Sequence, residues 1–180
     1  MKNLVLLSIL TIVFLISCSD EVHLAIDNPS EFSIEVFIDT LKYTVPPKDV
    51  VRLEIPKGEH QLTLENDNII KHNFIHKAYM INPSFSEYLL SDEYYGPKMY
   101  KNSYTSKLTN KEVTFIGMTM EGNYKVISDV INEVTWDYGP RESIPKRIKI
   151  DEDKSYTSLI KAYDSDEFKE LIMSTHSGEE

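Results

Sequence analysis

Apolar and polar residues alternate along most of the chain between residues 22 and 75. Val22, Leu24 and Ile26 would share one face of an extended segment, and the same period of two recurs in the segments that follow. Such alternation predicts strands with one buried and one exposed face. The later apolar sets are Phe32, Ile34, Val36 and Ile38, then Leu41, Tyr43 and Val45, then Val51, Leu53 and Ile55, then His60, Leu62 and Leu64, then the run from Ile70 to Ile75.

Turn-forming residues separate these strands at intervals of roughly ten residues. The turns are Asp27-Asn28-Pro29-Ser30, Pro46-Pro47, Pro56-Lys57-Gly58 and Asn66-Asp67-Asn68. Short, evenly spaced strands of this kind are typical of antiparallel β-sandwiches. We therefore predict a mainly β, antiparallel β-sandwich-like extracytoplasmic domain over residues 22–150, whose first sandwich-like part covers residues 22–77.

The rest of the chain is less regular and predicts a second β part, residues 78–150, followed by a helical segment, residues 151–174. The expected strands are Ser86–Leu90, Val113–Met118, Tyr124–Ile127 and a last one at Ile148 and Ile150. Tyr156, Leu159, Ile160 and Tyr163 then follow a helical period behind Ser155. Ser165 is the predicted cap of a second helix, so one or two C-terminal helices are expected, and residues 175–180 form a disordered tail.

The motifs Pro46-Pro47 and Gly58-Glu59-His60 give the first part its order of strand, Pro turn, strand, Gly-x-His and strand. This order resembles small β-sandwich modules of bacterial envelope proteins, over about 55 residues. In such modules the His stands at the start of a strand and takes no part in catalysis, which is what the resemblance implies for His60.

A separate pattern occupies the N-terminus, where Lys2 precedes an apolar run from Leu4 to Ile16. A positive start followed by an apolar stretch of about 7–15 residues is typical of a secretory signal peptide. The run is too short to span a bilayer, which takes roughly 20 residues.

The run ends in Leu15-Ile16-Ser17-Cys18, which resembles the lipobox of bacterial lipoproteins. The resemblance implies that Cys18 receives a diacylglycerol, that residues 1–17 are removed, and that residues 18–21 form a tether to the membrane. A thiolate is the nucleophile that takes the lipid, and two or more acyl chains anchor a protein stably. The alternatives are an ordinary signal peptide and a cytosolic protein with a hydrophobic N-terminal strand.

The chain as a whole is similar to uncharacterised envelope lipoproteins of Bacteroidetes. The similar pieces are Cys18-Ser19-Asp20-Glu21, Ile81-Asn82-Pro83-Ser84, Tyr95-Gly96 and Trp136-Asp137-Tyr138-Gly139. Ser19 after the Cys implies the outer membrane, and the acidic run that follows resembles a surface-export signal. The resemblance implies no known activity.

Charge and cysteine content limit the partners and the chemistry. Removal of residues 1–17, which contain Lys2 and no acid, changes the net charge from −10 to −11. That balance disfavours nucleic acid as a partner. Cys18 is the only Cys, so its lipidation leaves no thiol for a disulfide, a metal site or a nucleophile.

No motif predicts catalysis, a metal or a cofactor. His72 and His76 stand four residues apart, but on a predicted strand, and Asn73 occupies the place of the Glu in the zinc-protease motif. Asp151-Glu152-Asp153 lacks the spacing of a calcium loop. We expect no enzyme activity, no catalytic residues and no cofactor.

Two features indicate binding or modification. Aromatic residues near turns can stack on sugars or contact a protein partner, although packing is the alternative; they are Tyr94, Tyr95, Tyr100, Tyr104, Trp136 and Tyr138. Asp39-Thr40-Leu41 resembles a Bacteroidetes O-glycosylation sequence, with Thr40 as the acceptor. We expect a lipid-anchored envelope protein with a structural or binding role; the alternatives are a surface protein that binds a glycan or a protein through these aromatics, and an extracytoplasmic enzyme.

Overall fold

The computed structural model describes residues 20–65, 68–105 and 111–176. The chain divides after Pro83 into two compact units. The first contains the strands β1 (Glu21–Asn28), β2 (Ile34–Ile38), β3 (Leu41–Val45), β4 (Asp49–Pro56), β5 (Gly58–Leu64), β6 (Ile69–Phe74) and β7 (Ala78–Ile81). The second contains β8 (Tyr88–Tyr95), a 3-10 turn (Lys98–Tyr100), α1 (Lys101–Thr105), β9 (Lys111–Phe115), β10 (Met118–Gly122), β11 (Tyr124–Ile127), β12 (Ile131–Glu133), β13 (Thr157–Tyr163) and α2 (Ser165–His176).

The predicted fold class is confirmed, because the chain is mainly β and has a C-terminal helix. In the first unit, one sheet contains β7, β1 and β4, and the other has the order β3-β2-β5-β6. Only the β1–β7 pair is parallel among the strand pairs described in this unit.

Many of the alternating apolar residues of the first unit are buried as their period predicts. Val22, Leu24 and Ile26 on β1 have almost no exposed surface, and Val36 on β2 and Leu62 on β5 have none. Phe32, which precedes β2, and Leu41, which opens β3, are instead 79% and 62% exposed. Because directly opposed residues share a face of a sheet, Val36 lies beside Leu64, and Ile38 lies beside Leu62. These rows contribute to a β-sandwich-like core.

The first unit extends beyond the predicted boundary at residue 77. β7 begins at Ala78 and pairs with β1 from His23 to Ile26. Tyr79, Met80 and Ile81 are buried, and a continuous apolar run of this kind is typical of a strand covered on both faces. Its four residues are too few to show a period, which is why the alternation did not predict β7.

The helix that was predicted at residues 155–163 is wrong, because this segment forms β13. Thr157 to Tyr163 pair with β8 along the whole strand, and on the other side Ala162 donates to the carbonyl of Tyr138. With partners on both edges, the strand buries consecutive residues from Lys161 to Tyr163. A strand that is buried in this way does not alternate apolar and polar residues in sequence. The spacing of its apolar residues can therefore also match the period of a helix.

Two smaller expectations in the second unit also differ from the structure. Val113–Met118 is not one strand but a hairpin, since β9 turns at Ile116 and Gly117, both with positive φ (46° and 78°), into β10. Positive φ at both central residues is what a two-residue hairpin turn needs. Ile148 and Ile150 lie outside the strands of the described chain.

The core of the second unit lies between its strands and α2. Leu89, Phe115, Tyr163 and Phe168 are buried together, and Ile172 packs against them. The helix begins one residue after its cap: Asp164 accepts the N–H groups of Asp166 (3.0 Å) and Glu167 (2.9 Å). The predicted cap Ser165 is instead the first helical residue. No helix within the described residues has the length and apolar character required to cross a bilayer.

Candidate functional site

The predicted lipidation site, Cys18, lies outside the described residues, as does the predicted signal segment before it. The description begins at Asp20, which is already held by the first unit. Its carbonyl accepts the backbone N–H of Lys57 (3.0 Å), and its carboxylate lies 3.1 Å from the Lys57 ammonium. Only Ser19 therefore separates Cys18 from a residue with fixed contacts.

The sheet β11-β8-β13 of the second unit presents two chemically different faces. Side chains alternate along a strand, so Leu89, Ser91 and Glu93 of β8 lie on the face that contains the core. Leu90, Asp92 and Tyr94 lie on the opposite face. This second face carries the candidate site.

Strand register brings distant residues together on that face. Asp92 stands opposite Ile160 of β13, and Leu90 stands opposite Lys125 of β11. Asn123, just before β11, donates its side-chain amide to the Asp92 carboxylate. A carboxylate, an amide and an ammonium group thus surround an aliphatic floor.

These residues line a cavity of about 160 Å³. Both apolar and polar residues line the cavity. The lining residues are Leu90, Ser91, Asp92, Asn123, Tyr124, Lys125, Thr135 and Ile160. Asn123, Lys125 and Thr135 are exposed, whereas Leu90 and Ser91 are buried. The cavity therefore has a closed floor and a rim that reaches solvent.

An aromatic cluster continues the same face beyond Asp92. The ring of Tyr94 lies 5.1 Å from that of Tyr104 and 5.7 Å from that of Tyr156. Gly96 is required beside them, because a side-chain carbon there would lie 2.7 Å from the Tyr94 hydroxyl oxygen and 2.8 Å from the Tyr156 Cβ. The cluster is thus packed as a unit.

The predicted binding aromatics of this segment differ in how far they are exposed. Tyr104 is only 8% exposed and Tyr100 is 36% exposed, while Tyr94 and Tyr95 are half-buried. Burial, with the Asp92 carboxylate adding to its effect, raises the pKa of Tyr104 to about 12. Tyr104 is therefore a buried support of the face and offers little surface to a partner.

The six predicted aromatics do not form one patch. Tyr95 points to the core-bearing face of β8 and donates its hydroxyl to the Pro145 carbonyl (2.6 Å). Trp136 and Tyr138 are half-buried in a segment that runs beside β13, where Tyr138 forms a parallel bridge with Lys161. Of the predicted six, Tyr94 and Tyr104 contact each other.

His60 and His72 of the first unit each lie close to the ring of Phe74. His72 meets Phe74 edge to face at 4.7 Å and Tyr79 at 5.4 Å, and burial followed by the charge of His76 lowers the pKa of His72. His60 has acceptors at both ring nitrogens, Asp39 at 2.7 Å and the Pro56 carbonyl at 2.9 Å. No group of three or more metal-ligating side chains is found in the described ranges.

The predicted glycosylation acceptor Thr40 is exposed in the turn between β2 and β3. The preceding Asp39 has a positive φ of 54°. The backbone N–H of Gln61 and the side chain of His60 both hydrogen-bond the Asp39 carboxylate and lower its pKa. The turn therefore holds Thr40 at the surface in a fixed conformation.

Comparison with known proteins adds no relative, since no family model, curated protein or solved structure matches the chain.

Sequence reasoning missed the polar part of the site. Asp92, Asn123, Lys125 and Thr135 form no local motif, because residues more than 30 positions apart meet only through strand register. The one sequence signal near them was the cluster of tyrosines that follows Asp92.

Proposed function

We propose that this protein is a lipid-anchored extracytoplasmic binding protein with a non-catalytic role. The observation that carries the proposal is Leu15-Ile16-Ser17-Cys18, placed at the end of the apolar run and immediately before a folded unit. The lipid on Cys18 would hold the domain at a membrane surface, in the outer membrane of a cell that has one.

The short tether supports an anchoring role and limits the position of the first unit. One residue, Ser19, lies between Cys18 and Asp20, and consecutive Cα atoms are about 3.8 Å apart. The Cα atoms of Cys18 and Asp20 can therefore be separated by no more than about 7.6 Å. The first unit would remain next to the lipid headgroups and would not extend away on a linker.

A binding role, and not a purely structural one, is favoured by the cavity beside Asp92. A concave site with an apolar floor and a few convergent polar groups is the usual form of a small-ligand site. The exposed rim residues Asn123, Lys125 and Thr135 supply such groups.

Metabolic labelling with a radioactive fatty acid tests the anchor. The natural chain should incorporate label and fractionate with membranes, whereas Cys18→Ala should lose both properties because no thiol remains to be acylated. Ser19→Ala is the matched control, since it changes the neighbouring residue and keeps the thiol. Equal lack of label in the natural chain and in Cys18→Ala would overturn the proposal.

A further inference from the structure

The size of the cavity beside Asp92 suits a single small ring. A dry protein cavity of about 150 Å³ accommodates one benzene molecule, and the cavity beside Asp92 measures about 160 Å³. A single six-membered ring therefore matches this volume.

The lining restricts the chemistry of that ring. Leu90 and Ile160 form an aliphatic surface. Polar side chains surround this surface. Asp92 accepts hydrogen bonds, Lys125 donates them, and Asn123 and Thr135 can do both. A ring with C–H groups on its face and several hydroxyls at its edge satisfies both parts.

The pairing of Asp92 with Asn123 adds a more specific preference. The Asn123 amide donates to the Asp92 carboxylate, so the two groups lie side by side. The remaining lone pairs of the Asp92 carboxylate can accept a hydrogen bond from one ligand hydroxyl. The remaining N–H and the oxygen of the Asn123 amide can donate to or accept from a second ligand hydroxyl. Adjacent hydroxyls on one ring suit this pair.

We propose that this cavity binds a neutral pyranose, the terminal sugar of a glycan, with Asp92 and Asn123 holding two neighbouring hydroxyls. Leu90 and Ile160 pack against the C–H face of the ring, and Lys125 and Thr135 donate from the rim. The inference refines the binding role proposed above and does not depend on the anchor, because every lining residue belongs to the second unit.

Charge gives the cavity little attraction for an ion. The formal charges of Asp92 and Lys125 cancel, so the cavity has no net attraction for a cation or an anion. Lys125 is exposed, and Asp92 is only partly buried. Ion pairs in such surroundings contribute a median of about 0–1 kcal/mol, which leaves apolar contact and hydrogen bonds as the main sources of affinity.

Saturation-transfer NMR on the full chain, in a detergent without a sugar headgroup, tests the proposal. The probes are methyl α-glucopyranoside, methyl α-mannopyranoside, methyl β-galactopyranoside and N-acetylglucosamine, with alanine as the zwitterion. At least one sugar should receive saturation, and alanine should not. Asp92→Ala and Asn123→Ala should each weaken binding of that sugar about tenfold or more, because each removes hydrogen bonds to the ligand.

Two further variants keep the test decisive. Lys125→Ala alters an exposed rim residue and should weaken sugar binding without loss of folding, whereas Asn102→Ala on the exposed side of α1 should leave binding unchanged. Saturation of none of the sugars, equal binding by the cavity variants and the natural chain, or binding of alanine alone would overturn the proposal. Fatty-acid labelling of Cys18 is unaffected by any of these results, so failure of the ligand and failure of the anchor remain distinguishable.

Discussion

Asn28 shows how a single side chain organises the end of a strand. It closes β1 with no exposed surface, and its amide nitrogen donates to the carbonyls of Phe32 (2.7 Å) and Pro46 (2.9 Å), with Val45 at 3.1 Å. Its oxygen accepts the backbone N–H of Ser30 (3.0 Å). One buried amide therefore joins the β1–β2 turn to the end of β3.

Replacement of Asn28 by Ala should lower the free energy of unfolding by about 2–4 kcal/mol, because it removes the hydrogen bonds that this buried amide makes to three backbone carbonyls and to Ser30. Urea unfolding followed by circular dichroism measures the change. Asn73→Ala, at an exposed position on β6, is the matched control and should stay within about 0.5 kcal/mol. A loss for Asn28→Ala no larger than that of the control would contradict the assigned role.

Tyr104 makes stability depend on pH at the alkaline end. Its pKa is raised to about 12 in the folded protein, chiefly by burial, above about 10 for an unfolded chain. The stabilisation is therefore complete below about pH 10 and is lost as the pH rises through about 12.

The free energy of unfolding should fall between about pH 9 and pH 12, and Tyr104→Phe should reduce that fall, since the variant has no hydroxyl to ionise. Urea titrations at several pH values measure both slopes. Tyr43→Phe, in the first unit, serves as the comparison. Identical alkaline slopes for the natural chain and Tyr104→Phe would show that this hydroxyl does not resist ionisation.

At the scale of elements, a buried cation fixes the junction between β13 and α2. Lys161 is 2% exposed, and its ammonium lies 2.6 Å from the Gly139 carbonyl and 2.9 Å from the Glu167 carboxylate. Asp164, which caps α2, is also buried and accepts from Arg141. The network ties the helix to the segment around Gly139.

Removal of one partner from this network should be costly because it leaves an uncompensated buried charge. Lys161→Met should lower the free energy of unfolding by about 3–5 kcal/mol, measured by urea denaturation. Lys169→Met alters an exposed lysine of α2, which is paired with Asp166 at 3.4 Å. This control variant should lower the free energy of unfolding by less than about 1 kcal/mol. The double variant Lys161→Met with Glu167→Leu should recover part of the lost free energy of unfolding. Similar losses for Lys161→Met and Lys169→Met would refute the role of the network.

The elements differ in how far the sequence could predict them. β1 to β6 each expose one face, so their period of two is visible and predicts them correctly. β13 and β7 bury consecutive residues, and this burial removes the period. The start of α2 had a local signal, since Asp164 and Glu167 stand in the spacing of a capping box, and the Asp164 N–H lies 3.4 Å from the Glu167 carboxylate.

At the scale of the whole molecule, the fold class could be predicted and the candidate cavity could not. The fold class depends on many local patterns that agree, such as turn residues between alternating strands. The cavity depends on the register between β8, β11 and β13, which sets Asp92 beside Asn123 and Ile160. Register is fixed by tertiary packing and leaves no motif within any one strand.

The proposed anchor requires that the mature chain begin at a lipidated Cys18, directly before the first unit. Intact-mass spectrometry of the membrane-extracted protein, followed by sequencing of its N-terminal peptide, measures both the start of the chain and its modification. We predict a chain without residues 1–17 whose N-terminal Cys18 carries a diacylglycerol. A chain that retains Met1, or one that begins elsewhere with an unmodified Cys18, would refute the proposed anchor.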